Sequence, residues 1–249
     1  SKEVIIGPEK VRGVIGLKPL HLQEPDERRK AVKCDRLFID IGAASREEAE
    51  KKCAPGDYAA FKCECEQVGE KTLKGKAFDD RVGCAVLLRL LERRYSFPVV
   101  GVFTVQEEVG LRGATVASWA VQPDMGIVLE GTICSDTPGT DEHLQATRMG
   151  KGPALSIMDR TSVASKSLLK QLIRLAEETG IPYQFKRSTM GGNDAGRIHL
   201  SRTGVPSASV SVPCRYIHSP ASFINLDDYE NAVRLVEAFL RSVEEGFRP

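Results

Sequence analysis

From about residue 77 onward the sequence alternates between two hydrophobic periods, and few folds accommodate that alternation. The stretch "DDRVGCAVLLRLLERR" puts Val82, Ala85, Val86 and Leu90 at helical spacing. "PVVGVFTV" at 98–105, "MGIVLEG" at 125–131 and "ASVSVPC" at 208–214 are short, branched and almost uncharged, as buried strands are. "SVASKSLLKQLIRLAEETG", stopped by Gly180, and "DDYENAVRLVEAFLRSV" are further amphipathic helices. Helices with one apolar stripe must bury it, and strands apolar on both faces need cover on both sides. The expected class is therefore α/β, with a mostly parallel sheet and flanking helices.

The first part of the chain reads differently. "EVIIG", "VRGVIGL", "RLFIDIGA" and "YAAFKCECE" are strand candidates, divided by turns and by a proline- and charge-rich loop from Lys18 to Lys33. "SREEAEKK" opens with a capping box, Ser45 reaching forward and Glu48 back, and marks one short helix. Residues 1–70 are thus expected to form a small β-rich domain, and residues 71–249 the α/β domain. Cys63 and Cys65 fall in an alternating run that would put both thiols on one strand face, where packing is the expected role.

Charge and composition exclude several classes. Thirty-five Lys and Arg against 34 Asp and Glu leave a formal net charge of +1, with no basic block and no interleaved aromatics, so nucleic acid is not an expected partner. No apolar run is long enough to cross a bilayer, and "SKEVIIGPEK" has no signal-peptide pattern, so no membrane association is expected. Seven irregularly spaced cysteines fit a reducing cytoplasm better than a disulfide framework.

The chemistry-bearing residues gather at element ends. Asp79 and Asp80 open a helix, Glu107 and Glu108 follow the 98–105 run, Glu130 closes "MGIVLE" and His218 follows "ASVSVPCRYI". Ligands of open α/β sheets bind at the carboxyl ends of strands, so residues distant in sequence converge there. Carboxylates with an imidazole and no thiolate suit Zn²⁺ or a similar divalent ion, and carboxylates can bridge two ions. Each position alone is equally consistent with a solvated turn or a helix N-terminus favouring acids.

Several stretches together carry a family resemblance: "KAFDDRVGCAVLL", "TVQEEVGLRGA", "VLEGTICSDTPG", "MGKGPAL", "MGGNDAGRIHLSRTGVPSASVSVPCRYIHSP", "GVIGLKPLHL" and "LFIDIGA". In order and content they resemble the glutamyl aminopeptidase family of two-metal peptidases, which includes tetrahedral self-compartmentalising members and some labelled endoglucanase or cellulase. The resemblance implies an aminopeptidase that removes N-terminal residues from peptides with a water activated by two divalent ions, Zn or Co. It implies that Asp79 bridges the ions, that Glu108 binds one of them and His218 the other, that Glu130 occupies a position filled by a metal-binding Asp or Glu, and that Glu107 is the general base. A peptide substrate and a homo-oligomer, a dimer or dimer-based assembly built through the β-rich domain, follow from it. Asp80 and Asp194 are expected to orient ligands or turns rather than to react.

The family pattern also includes a His-x-Asp element at a strand end in a section preceding the stretches matched here. The histidines of this chain are His21, His143, His199 and His218, and none stands in His-x-Asp. Both domains are accordingly expected to lack their first part, with reduced activity as the consequence. Two other readings remain open on the residues: a non-catalytic assembly or peptide-binding protein, and a glycosidase using Glu107 or Glu108 with Glu130. The second needs neither His218 nor a bridging aspartate, and one Trp supplies little sugar-stacking surface.

Overall fold

The computed structural model of the protein describes residues 2–249. The chain forms two compact units, one ending at Cys63 and the other spanning Glu64–Pro249.

The first unit contains β1 (Glu3–Ile6), β2 (Val11–Gly16), α1 (Pro25–Arg28), β3 (Phe38–Asp40), α2 (Arg46–Glu50) and β4 (Ala59–Phe61). Its four strands make an antiparallel sheet in the order β3-β2-β1-β4. Val4 and Ile6, two apart on the central strand, are both buried, as the period of a strand with one covered face requires. At α2 the Ser45 hydroxyl accepts from the Glu48 amide at 3.2 Å, but the Glu48 carboxylate takes the Ala44 amide, at 2.9 Å, rather than that of Ser45. The capping box therefore closes one residue further back than the pattern suggests. Beyond Phe61 the backbone leaves the ladder, so Cys63 and Cys65 do not share a strand face; Cys65 is exposed.

The second unit contains β5 (Glu66–Val68), β6 (Thr72–Gly75), α3 (Phe78–Leu91), α4 (Arg112–Val121), β7 (Gly126–Cys134), β8 (Ala154–Leu155), α5 (Lys166–Thr179), β9 (Gln184–Phe185), α6 (Ala195–Ile198), β10 (Ser207–Arg215), β11 (Ser222–Asn225) and α7 (Leu226–Glu244). The fold is mixed α/β. Parallel pairing is carried by the long β7–β10 ladder, from Ser207 opposite Gly126 to Arg215 opposite Cys134, and by β8 with β9. The ladders of β10 with β8 and β11, of β11 with β6 and of β6 with β5 are antiparallel. Strand β10 is buried at every residue from Ser207 to Cys214, which explains its unbroken small and branched sequence.

The core lies where α3, α5 and α7 cover that strand. Val82, Val86 and Leu90 of α3, Leu168, Leu172 and Leu175 of α5, and Leu235, Val236 and Phe239 of α7 pack with Val210 and Val212. Gly180 ends α5 with φ +65°, a left-handed cap that a side chain would strain. Asn225 begins α7 by accepting the amides of Asp227 and Asp228.

Two local expectations change. Residues 98–105, which read as a buried strand, join no ladder. Their composition is that of a strand, but a strand is a relation between two segments, and no described segment lies in register beside this one. The helix beginning near Asp79 is also irregular: Asp79 (φ −90°, ψ 106°) and Asp80 (φ −121°, ψ 50°) are non-helical, and regular helix starts after them.

Candidate functional site

The break in the first turn of α3 takes Asp79 out of the helix and towards β7. A Cβ at Gly131 would stand 3.3 Å from the Asp79 Cα and Cβ, so the close approach depends on that glycine. Asp80 ties the same junction from the other side. Its Oδ1 accepts the Gly83 amide at 3.0 Å and the Gly131 amide at 3.1 Å, joining the helix start to the strand.

Glu107 and Glu108 lie in the turn between residues 98–105 and α4. The Glu107 carbonyl accepts the amides of Gly110 at 3.0 Å and Leu111 at 2.8 Å, which closes the turn and holds both side chains. His218 lies in the turn between β10 and β11. Backbone torsions here are unusual: Ala77 (φ 53°), Gln106 (φ 58°), Tyr216 (φ 58°) and His218 (φ 59°) all have left-handed φ without being glycine. Such conformations cost of order 1–3 kcal/mol each and persist where the surroundings over-determine them, characteristically at functional sites.

These turns converge. His218 Nε2 is 3.1 Å from Asp79 Oδ2 and 3.3 Å from Glu108 Oε2. One ligand atom each from Asp79, Glu108 and His218 lies within 4.8 Å of the others. The Asp79 side chain is mostly covered, at 19% exposure, while Glu108 and His218 are open at 58% and 61%. The group is held from below and accessible from above.

Glu130 is close by but engaged differently. Its Oε1 accepts Asn193 Nδ2 at 3.0 Å and Ser211 Oγ at 2.8 Å. It lines the same cavity as Asp79, Glu107 and Glu108. Glu107 stands beside the charges of Asp194 and Asp79. Asp194 accepts Thr104 Oγ1 at 2.6 Å. None of Asn193, Ser211 and Thr104 was singled out by sequence reasoning. Their pattern signal is that of ordinary loop and strand residues, and only the fold turns them towards the acids.

Burial and crowding disfavour ionisation of these carboxyls. Burial raises Asp80 to about 8 and Glu107 and Glu130 to about 7, with neighbouring acids adding to the effect at each. Asp79 is raised as well, first by burial and then by the charge of Glu108, against the opposing contact of His218. A site of this kind is short of positive charge. Three donors of oxygen and imidazole nitrogen from separate elements, with unpaired negative charge behind them, fit a divalent cation such as Zn²⁺ or Co²⁺.

The comparisons with known proteins span the stretch that holds these residues. The model of the M42 glutamyl aminopeptidase family matches residues 1–235. An aminopeptidase from the archaeon Desulfurococcus kamchatkensis superposes with a TM-score of 0.89 at 39% identity, covering 97% of this chain and 68% of its own. A Pyrococcus horikoshii peptidase, described as able to assemble into a tetrahedron or a large octahedral shell, gives a TM-score of 0.78 at 33% identity, covering 96% of this chain and 72% of its own. The lysyl aminopeptidase of Pyrococcus furiosus is 30% identical over 237 residues, 93% of this chain and 67% of the relative. The chain therefore spans about two thirds of the length of these relatives. With the family match running through the acidic turns, the strand pair between them and the histidine turn, the chain belongs to the M42 glutamyl aminopeptidase family, whose members are peptidase hydrolases.

Proposed function

We propose that the chain is a metal-dependent aminopeptidase, or the larger part of one, whose centre holds two divalent ions. Asp79, Glu108 and His218 form the first cation site, and the convergence of their three ligand atoms within 4.8 Å is the observation that carries the reading. Glu130, on β7 and lining the same cavity as Asp79, would hold the second ion together with Asp79. When bound, a pair of ions would act as Lewis acids on the scissile carbonyl and activate water at neutral pH.

The remaining steps belong to the chain's own groups. Glu107 stands in the same turn as Glu108 and is kept near neutrality by its surroundings, at about 7. It is placed to take a proton from the attacking water and return it to the leaving amine. Asn193 and Ser211 fix the orientation of the Glu130 carboxylate through their two hydrogen bonds. The acidic surroundings favour the protonated amino terminus of a peptide, which would restrict cleavage to the first bond.

The β-rich unit suits an assembly role in a homo-oligomer. Val14, Phe38 and Tyr58 are exposed at 45%, 56% and 92%, an apolar surface that a second subunit could cover. Seven irregularly spaced cysteines fit a reducing, cytoplasmic setting, and among the described residues no helix is long and apolar enough to cross a membrane.

Titrating the metal-free protein with Zn²⁺ or Co²⁺, followed by assay on acidic, neutral and basic aminoacyl p-nitroanilides, tests the reading. Saturable binding lost in Asp79→Ala and His218→Ala supports the cation site. Cation binding without turnover would favour the peptide-binding alternative, and no cation binding would remove the metal reading altogether.

A further inference from the structure

A second set of polar contacts lies where β7 and β10 end side by side. The last rung of their parallel ladder sets Arg215 opposite Cys134. The Arg215 guanidinium donates from Nε to Asp136 Oδ1 at 2.6 Å and from Nη2 to Asp136 Oδ2 at 2.7 Å, the two-pronged fit of a planar fork to a carboxylate. The same carboxylate accepts the Cys134 thiol at 2.9 Å and the Met149 amide at 3.1 Å. Asp136 is thus a hub that joins the end of β7, the end of β10 and the loop before β8. Its side chain is only 12% exposed. Burial disfavours its charge, yet the hydrogen bonds from Arg215, Cys134 and Met149 outweigh burial and hold it below the ordinary carboxylate range. The pair is therefore ionic at neutral pH.

Three residues after Arg215 comes His218. Tyr216 and His218 take left-handed φ of 58° and 59°, conformations that a residue other than glycine leaves unless its surroundings hold it there. Several ties of this turn run to β11, to the core and within itself. The Tyr216 ring meets Phe223 of β11 edge-on at 5.9 Å, and Ile217 packs against the core. Ser219 Oγ reaches the carbonyls of Tyr216 at 2.6 Å and Ala221 at 2.7 Å. None of these runs to β7. The Asp79–Asp80 junction is tied to β7, at Gly131. For His218 to stand 3.1 Å from Asp79 and 3.3 Å from Glu108, its own turn needs a fixed relation to β7 as well. The Arg215–Asp136 fork supplies it at the residue where β10 leaves the ladder.

We infer that Arg215 is a positioning residue: its fork onto Asp136 locks the His218 turn to β7, the strand that carries Glu130, and so holds the imidazole at its distance from Asp79 and Glu108. The inference rests on the reading of His218 as a cation ligand. Arg215 acts through the turn and not on the ion. A lysine at this position keeps the charge but has no planar fork, so it does not replace arginine.

The test uses residues 1–249 and needs no turnover. Backbone order parameters at 216–219 are measured on the metal-free protein by ¹⁵N relaxation, and Co²⁺ is titrated with its visible absorption as the signal. In Arg215→Met the turn should pass from the rigid range, about 0.85, towards the flexible range, below about 0.6. Co²⁺ affinity should fall about tenfold, a factor corresponding to about 1.4 kcal/mol, with a changed absorption spectrum. Asp136→Asn should act in the same direction, the double variant should lose little more than either single one, and Arg215→Lys should not restore the affinity. Cys134→Ala removes another contact to Asp136 but none to β10, so it should leave both signals unchanged. A turn that stays rigid in Arg215→Met and Asp136→Asn would overturn the inference. So would full affinity in Arg215→Lys, or an equal loss in Cys134→Ala. Absence of Co²⁺ binding in the unsubstituted chain would overturn the cation reading alone, and the order parameters would still decide whether Arg215 holds the turn.

Discussion

His218 and Asp79 stand 139 positions apart in sequence, yet His218 Nε2 lies 3.1 Å from Asp79 Oδ2. Glu108 closes the triangle at 3.3 Å from the same nitrogen. The contact makes the histidine the only nitrogen donor in the cluster. His218→Ala should lower Zn²⁺ affinity at least ~10-fold, whereas His143→Ala, outside the cluster, should leave it unchanged. Isothermal titration of both variants checks this, and equal affinities would remove His218 from the site.

Glu107→Gln separates binding from catalysis. The amide keeps the shape of the side chain but cannot accept the water's proton. Cation affinity should stay within about twofold while peptide turnover falls ~10²–10⁴-fold. The comparison is made under conditions in which the unsubstituted chain has measurable turnover. Unchanged turnover would place the base elsewhere.

Asn193 is 1% exposed and gives Glu130 one of its two hydrogen bonds. Removing a buried partner leaves an acceptor to be desolvated for nothing, so Asn193→Ala should cost about 1–3 kcal/mol of stability. It should also weaken binding of the second cation more than that of the first. Chemical denaturation with and without Zn²⁺ measures both.

The raised carboxyls set the pH response. A carboxyl whose folded pKa lies above its unfolded value, about 4, gives its full stabilisation below that value and loses it as pH rises through the folded pKa. Asp80 is held up to about 8, and Glu107 and Glu130 to about 7. The metal-free protein should therefore lose thermal stability as pH rises from about 5 to about 8. Cation affinity should rise across the same window, because the ion competes with those protons, and binding should release them. Calorimetry in two buffers of different ionisation enthalpy counts the protons; a flat affinity would mean that the carboxyls are already ionised.

In the core, Leu172 is fully buried between α5 and its neighbours. Leu172→Ala should cost ~2–5 kcal/mol, since the deleted side chain leaves a cavity that the packed helices cannot fill. Loss of cation affinity should not accompany it while the protein remains folded.

Much of this was legible in one dimension because it depends on neighbours in sequence. The stripes of α3, α5 and α7, the stop at Gly180 and the run of small and branched residues in β10 follow from local periodicity and turn chemistry, and the structure places them as read. The family motifs single out Asp79, Glu107, Glu108, Glu130 and His218 as candidates, and the fold brings ligand atoms of Asp79, Glu108 and His218 within 4.8 Å of one another. What only the tertiary structure decided is pairing. Whether 98–105 is a strand depends on a partner that local sequence cannot supply, and no described segment pairs with it. Asp79 leaves its helix because Asp80 is tied to Gly131 on β7, a contact across 51 positions. Asn193 and Ser211 matter only because the parallel β7–β10 ladder sets Ser211 opposite Glu130. Periodicity is a property of the chain, whereas hydrogen-bond partners and crowded charges are properties of the packed molecule.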